Sequence, residues 1–316
     1  MGLTNQKLGY DEVEHRDLKF NLTLENVSRH WFNNEPWTTH FMNSILAAVP
    51  DGERWVMRSA SKQLKKLTHG EVRESAIEFI RQERTHAREH DQMNALITEQ
   101  GVPMDKIEGV FKYIRKNLQH RLSEDMQSSI AAAFEHFTAI LSEVFLENPE
   151  LFKDTDPLLR AMLYWHFIEE TEHKSVSFDV FTDSTGAGFE SYIKRVQGML
   201  LATAVGLPIL LGNYSYLLIK DRQLLNLVSA ARSINTLWLS PGPMKKVLLE
   251  GYAPYFFPNF HPWEADNRET IQVWKTAYKK YNGDTEKAFE AFQEWSHTKK
   301  KKNRKRGKSY LKLVRN

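Results

Sequence analysis

The 316-residue sequence contains no cysteine. Disulfides, thiolate-ligated zinc, iron–sulfur clusters and cysteine nucleophiles are therefore excluded, and thiol usage says nothing about redox compartment. It also lacks a strong charge bias. Its 43 Lys and Arg against 40 Asp and Glu leave a formal net charge of +3, so no whole-protein field points to nucleic acid. Strand-like alternation is weak throughout, no internal repeat of fixed period recurs, and there is no glycine-rich phosphate loop. The opening stretch MGLTNQKLGYDEVEHRD is polar, without the apolar run of a secretory signal. Gln6 stands where the myristoylation pattern wants Ser or Thr. With neither a secretory signal nor a myristoylation pattern, a cytoplasmic protein is the expectation.

What is present is apolar and helical. Hydrophobic residues make up 41% of the chain, with 18 Phe, 11 Tyr and 8 Trp, enough for a sizeable core. Residues 1–35 read as an irregular polar extension. Beyond them, apolar residues at three- and four-residue spacing predict four long helices up to about residue 180. The first covers Trp37 to Leu67 and is interrupted by Pro50-Asp51-Gly52. The second covers Val72 to Gln100 and stops at Gly101-Val102-Pro103. A helical crossover, Met104 to Leu122, leads to the third, Ser123 to Glu147, which ends before Asn148-Pro149. The fourth has Asp156 as its cap and Pro157 at its first position, and runs to about Phe181. The expected organisation is all-α: a four-helix bundle over 36–195, additional helices over 196–298, and a basic tail over 299–316.

Two later segments bear on location. Residues 196–219 carry no charge and are flanked by Arg195 and Lys220. Their length would span a bilayer, but Gln197, Gly206, Pro208, Gly212 and Asn213 favour a buried, kinked core helix over a segment embedded in or lying on the inner membrane. The run KKKKNRKRGK at 299–308 reads as a solvated, disordered end. Its sharper alternative is contact with an anionic surface, lipid before RNA.

The chemistry sits in two Glu-x-x-His pairs. Glu83 and His86 lie three residues apart on one helical face, as do Glu170 and His173. Such groups on a core-facing stripe are costly to bury unpaired, and a divalent metal is a natural partner. In dinuclear carboxylate bundles, two helices supply a Glu-x-x-His each and two supply one Glu each. Glu135, set among Ala131-Ala132-Ala133 and Phe137, and Glu53, just after the Pro50-Asp51-Gly52 break, complete that order. Glu143 is the alternative to Glu135. His166, one turn before Glu170, extends the fourth helix to His-x-x-x-Glu-x-x-His and is a seventh candidate ligand. His90 is assigned behind the ligands or to the core, and His136 to a structural role. Glu89, Glu169 and Glu172 are assigned to solvent or behind the ligands. Carboxylates with imidazoles and no thiolate suit two iron ions, with Mn/Fe, Mn or Zn as alternatives.

These residues resemble the ferritin-like di-iron carboxylate superfamily. More closely, the chain is similar over roughly residues 30–270 to the family labelled predicted metal-dependent hydrolases. The stretches that carry this are Pro50-Asp51-Gly52-Glu53-Arg54, Phe79 to His86, Phe134 to Thr138, Trp165 to His173 and Phe260-His261-Pro262-Trp263. The His166, Glu170, His173 triplet is similar to that of the arylamine N-oxygenases, di-iron enzymes with an extra histidine. That likeness implies a di-iron oxygenase or oxidase that uses O₂, but it does not carry over the amine substrate. The abundant Phe, Trp and Met suggest an apolar substrate, and the apolar 196–219 segment an acyl or lipid one. Electrons would come from an external donor, since no nucleotide- or flavin-binding motif is present. The alternatives are a two-metal hydrolase with a bridging hydroxide as nucleophile and a non-catalytic metal-binding protein. A membrane-surface contact and a homodimer are compatible with the pattern, and no nucleic-acid partner is expected.

Overall fold

Helices begin and end where local chemistry allows. In α1, Pro36–Leu46, the Glu35 side chain accepts from the Thr38 amide and Pro36 sits in the first turn. The chain breaks at residues 47–48 and resumes in α2, Val49–Gln63. The interruption therefore falls just before Pro50-Asp51-Gly52, which forms the first turn of α2. Proline is tolerated there because its missing N–H would have no intrahelical partner anyway. Helix α3, Gly70–Glu99, is followed by Gly101 at φ 82°, a left-handed turn that favours glycine. Helix α4, Met104–Leu118, and a short 3₁₀ turn form the crossover. Helix α5, Glu124–Glu147, is capped by Ser123, and α6, Pro157–Glu172, by Asp156, which accepts from the Leu158 and Leu159 amides.

The computed structural model describes residues 13–186, 188–239 and 242–313, the side chains from 302 onward excepted. Among these the chain is all-helical, with no strand. Helices α2, α3, α5 and α6 form the bundle. The fourth helix does not run unbroken to Phe181. It ends at His173 (φ −99°, ψ 8°), where the Val176 amide turns back to the His173 carbonyl at 2.8 Å. It restarts as α7, Val176–Thr185, which packs across α5 and α3. The turn comes directly after the last candidate ligand, so the ligand-bearing helix need not continue past the site.

Close approach sets the bundle's spacing. A Cβ at Gly52 would stand 2.0 Å from Cζ of Phe134, so only glycine lets α2 meet α5 here. Helix α8, Phe189–Lys220, lies along α5, where a Cβ at Gly198 would stand 2.8 Å from the Ser129 carbonyl carbon. After α8 come α9, Leu227–Ile234, and α10, Pro243–Lys246, each followed by a π-helical turn. Helices α11, Arg268–Lys280, and α12, Thr285–Leu313, then return to pack on α6. There Tyr164 meets Phe289 edge-on at 4.3 Å within an aromatic core that includes Phe152, Trp274 and Phe292.

Two expectations from the sequence change. Helix α8 runs continuously through Pro208 and is not a core helix: only 17% of its most apolar stretch is buried. Its polar residues did not decide its fate, because packing on α5 and α1 takes only one side of it. The basic run is not an irregular end either. It continues α12 as helix to Leu313, and residues 314–316 lie outside the described residues. Of the N-terminal extension, residues 1–12 also lie outside. Residues 13–35 contain no regular helix and run as a strap over α3 and α6.

Candidate metal centre

All seven residues singled out above meet inside the bundle. Their side chains offer ligand atoms in two groups. Glu53, His86, His166 and Glu170 form one; Glu83, Glu135 and His173 form the other. Each Glu-x-x-His pair is split between the groups, so the pairs interlock. Glu170 Oε1 lies 3.4 Å from both His86 Nδ1 and His166 Nε2, while its Oε2 lies 3.5 Å from His173 Nε2. Glu83 Oε1 likewise stands 3.5 Å from His86 Nδ1 and 3.2 Å from His173 Nε2. Glu135 Oε2 is 3.3 Å from His173 Nε2. The most exposed of the seven, His166, is 5% exposed.

Each histidine turns one nitrogen inward and fixes the other. His86 Nε2 donates to Glu169 Oε2 at 3.0 Å, and Glu169 accepts from Arg16 at 2.7 Å. His173 Nδ1 donates to Gln82 Oε1 at 3.0 Å, and Gln82 Nε2 donates to Glu172 at 3.2 Å. His166 Nδ1 pairs with His90 Nε2 at 3.2 Å. Partners of this kind set tautomer and ring orientation in metal sites. Edge-on contacts from Trp165 to His86 and from Phe79 to His173 close the walls.

The arrangement is electrostatically strained without a cation. Burial, then Glu83, pushes Glu53 well above the ordinary carboxylate range, and the same two causes raise Glu135. Burial raises Glu83 against the pull of His173. Burial works to raise Glu170 too, but His173 and His166 outweigh it and hold Glu170 well down. His86 and His173 are raised despite burial, because carboxylates surround both. His166 is lowered by burial and by His86, and His90 is lowered to about 3 by the same two causes.

The donor atoms fit a metal pair. Both oxygens of Glu53 and of Glu83, Oε2 of Glu135 and of Glu170, Nδ1 of His86 and Nε2 of His173 are buried with no hydrogen-bond partner. Buried polar atoms are rarely left so. Here they converge, and cations would satisfy them together.

Glu89, Glu169 and Glu172 are not solvated: none is more than 2% exposed. Arg16 and Lys275 hold Glu172, and Arg88 and the Phe20 amide hold Glu89. His136 donates to the Gly251 carbonyl at 3.0 Å, away from the ligands. Glu143 pairs with Lys246. Sequence reasoning missed Arg16 and Gln82. Gln82 had one signal, its place directly before Glu83; Arg16 had none.

A helical bundle that draws four carboxylates and three imidazoles into one dry cluster defines a metal-binding protein. A family profile described as predicted metal-dependent hydrolase matches residues 14–266, and the chain belongs to that family. No curated protein and no solved structure matches it.

Proposed function

We propose that the chain is a hydrolase that works through a two-metal centre. One observation carries this reading: Glu170 and Glu83 each reach both ligand groups, so each would help to hold both cations. The family description supports hydrolysis as the reaction class. When bound, two divalent ions supply Lewis acidity and lower the pKa of a water molecule. The chain's own residues do the rest. Four carboxylates offset the charge of the pair. Glu169 keeps the His86 proton on Nε2, which frees Nδ1 to face the centre. Gln82 does the same for His173 with the nitrogens reversed. The aromatic walls exclude bulk water. Iron, manganese and zinc all suit this donor set, zinc less exclusively.

A second reading, O₂-dependent oxidation of an apolar substrate at two irons fed by an external donor, is favoured by His166. Its placement beside Glu170 supports the likeness to the arylamine N-oxygenases and, with it, a ferritin-like ancestry. Metal analysis of the purified chain, ester and phosphoester turnover, and O₂ uptake by the reduced protein separate the two. Two metals per chain with turnover and no O₂ uptake are expected. Stoichiometric O₂ uptake by a two-iron form without hydrolysis replaces the first reading by the second. A chain that retains no metal overturns both.

A further inference from the structure

Seventeen of the 22 large hydrophobic side chains exposed among the described residues fall between Phe189 and Phe257. Along α8, exposed Leu200, Leu201, Val205, Leu207, Leu211 and Ile219 fall within an arc of roughly 160° at the helical repeat. Buried Arg195, Met199, Asn213 and Leu217 fall on the opposite side, where α8 meets α5 and α1. Helix α9 has the same design. Leu227, Val228 and Ile234 are exposed, while Ser229, Ala230 and Ser233 are buried. It too rests on α1, where the Trp37 amide donates to Ser229 Oγ at 3.0 Å. The connecting loop adds Leu224 and Leu225, the latter 85% exposed. A contiguous apolar surface of this extent marks an interaction site.

Charge decides what covers it. Between Glu190 and Glu250 the sequence holds a single acid, Asp221, against Lys194, Arg195, Lys220, Arg222, Arg232, Lys245 and Lys246. Asp221 is turned to the protein, accepting from Arg29 Nε at 2.8 Å, His30 Nε2 at 2.7 Å and His40 Nε2 at 2.9 Å. Lys220, Arg222 and Arg232 remain exposed beside the leucines. A second copy packed on this face would oppose cation to cation across a two-fold axis. An anionic bilayer matches both the apolar and the cationic groups. The face also suits an apolar medium. The Ser215 hydroxyl is bonded back to the Leu211 carbonyl at 2.8 Å.

We propose that the outer face of α8, the 221–226 loop and α9 form a one-sided docking surface for an anionic lipid bilayer. The apolar side chains enter the boundary between headgroups and acyl chains, and Arg222 and Arg232 meet the headgroups. The surface does not span the membrane, because the inner side of α8 is committed to α5 at Gly198 and Ser129.

Vesicle flotation with phosphatidylcholine, with and without phosphatidylglycerol, tests this. The absence of native cysteine lets an environment-sensitive dye on L225C report insertion alone. The full chain should float with the anionic vesicles and the dye should shift to the blue. L225E/L227E should weaken partitioning at least about tenfold, and R222E/R232E should remove the preference for anionic vesicles. Both variants alter exposed side chains and should melt as the parent does. A parent chain that stays at the bottom of the gradient overturns the proposal. So does a lipid-independent dimer that buries the L225C dye and dissociates in L225E/L227E, which assigns the face to a second copy.

Discussion

His86, His173 and His166 each face the centre with one nitrogen and hand the other to a different residue: Glu169, Gln82 and His90. Losing such a partner frees the ring to rotate. E169Q and H90A should therefore each lower metal affinity about 10- to 100-fold while leaving all seven ligands in place, as read by competition with a chromophoric chelator. Asp221, at the end of α8, is also fixed by side chains from other elements. Burial would raise its carboxyl, but His30, His40 and Arg29 outweigh burial and hold it at about 2 against an ordinary 3.8. The folded state therefore keeps Asp221 ionised in a range where the unfolded chain takes up a proton. Its contribution is fully present above the ordinary value and is lost as pH falls toward 2. D221N should cost about 2 kcal/mol near neutrality, and its gap from the parent in urea denaturation should narrow from pH 5 downward.

Among the elements, α2 meets α5 without room for a side chain at Gly52, because Phe134 fills that space. G52A should destabilise by about 1–3 kcal/mol through forced displacement of that ring. Measured in a double-mutant cycle, F134A should relieve part of the cost of G52A; simple additivity of the two would show that the close approach is not the cause. Much at this scale was legible in the sequence. Two Glu-x-x-His pairs on amphipathic helices, Glu135 among alanines, Glu53 after the Pro-Asp-Gly break and His166 one turn before Glu170 name the seven side chains that meet, because helical periodicity fixes which residues share a face. The turn after His173 was not legible, since no Gly or Pro marks it. Nor was the exposure of α8, because burial depends on what packs against a helix, and its composition is that of a core helix. Whether Glu169 and Glu172 face solvent or stand behind the ligands stayed open in the sequence, because Arg16, which pairs with both, lies in a strap with no periodic pattern.

For the molecule as a whole, the bundle encloses carboxylates that repel one another until cations arrive. Chelation should therefore lower the melting temperature by several degrees, and adding back metal should restore it. A ligand at about 100 times its dissociation constant contributes about 2.7 kcal/mol. A melting temperature unchanged by EDTA, with metal shown to be gone, would count against the centre. The support behind His173 also has a consequence for biogenesis. Gln82 is held by Glu172, which is gripped by Arg16 from 156 residues upstream and by Lys275 from α11. A nascent chain still short of residue 275 has every ligand and the Arg16 grip on Glu172, but lacks the second cation, Lys275, behind His173. The centre should thus reach its full metal affinity late in synthesis, once the ribosome has released α11 to fold back and add Lys275 to the support of Glu172.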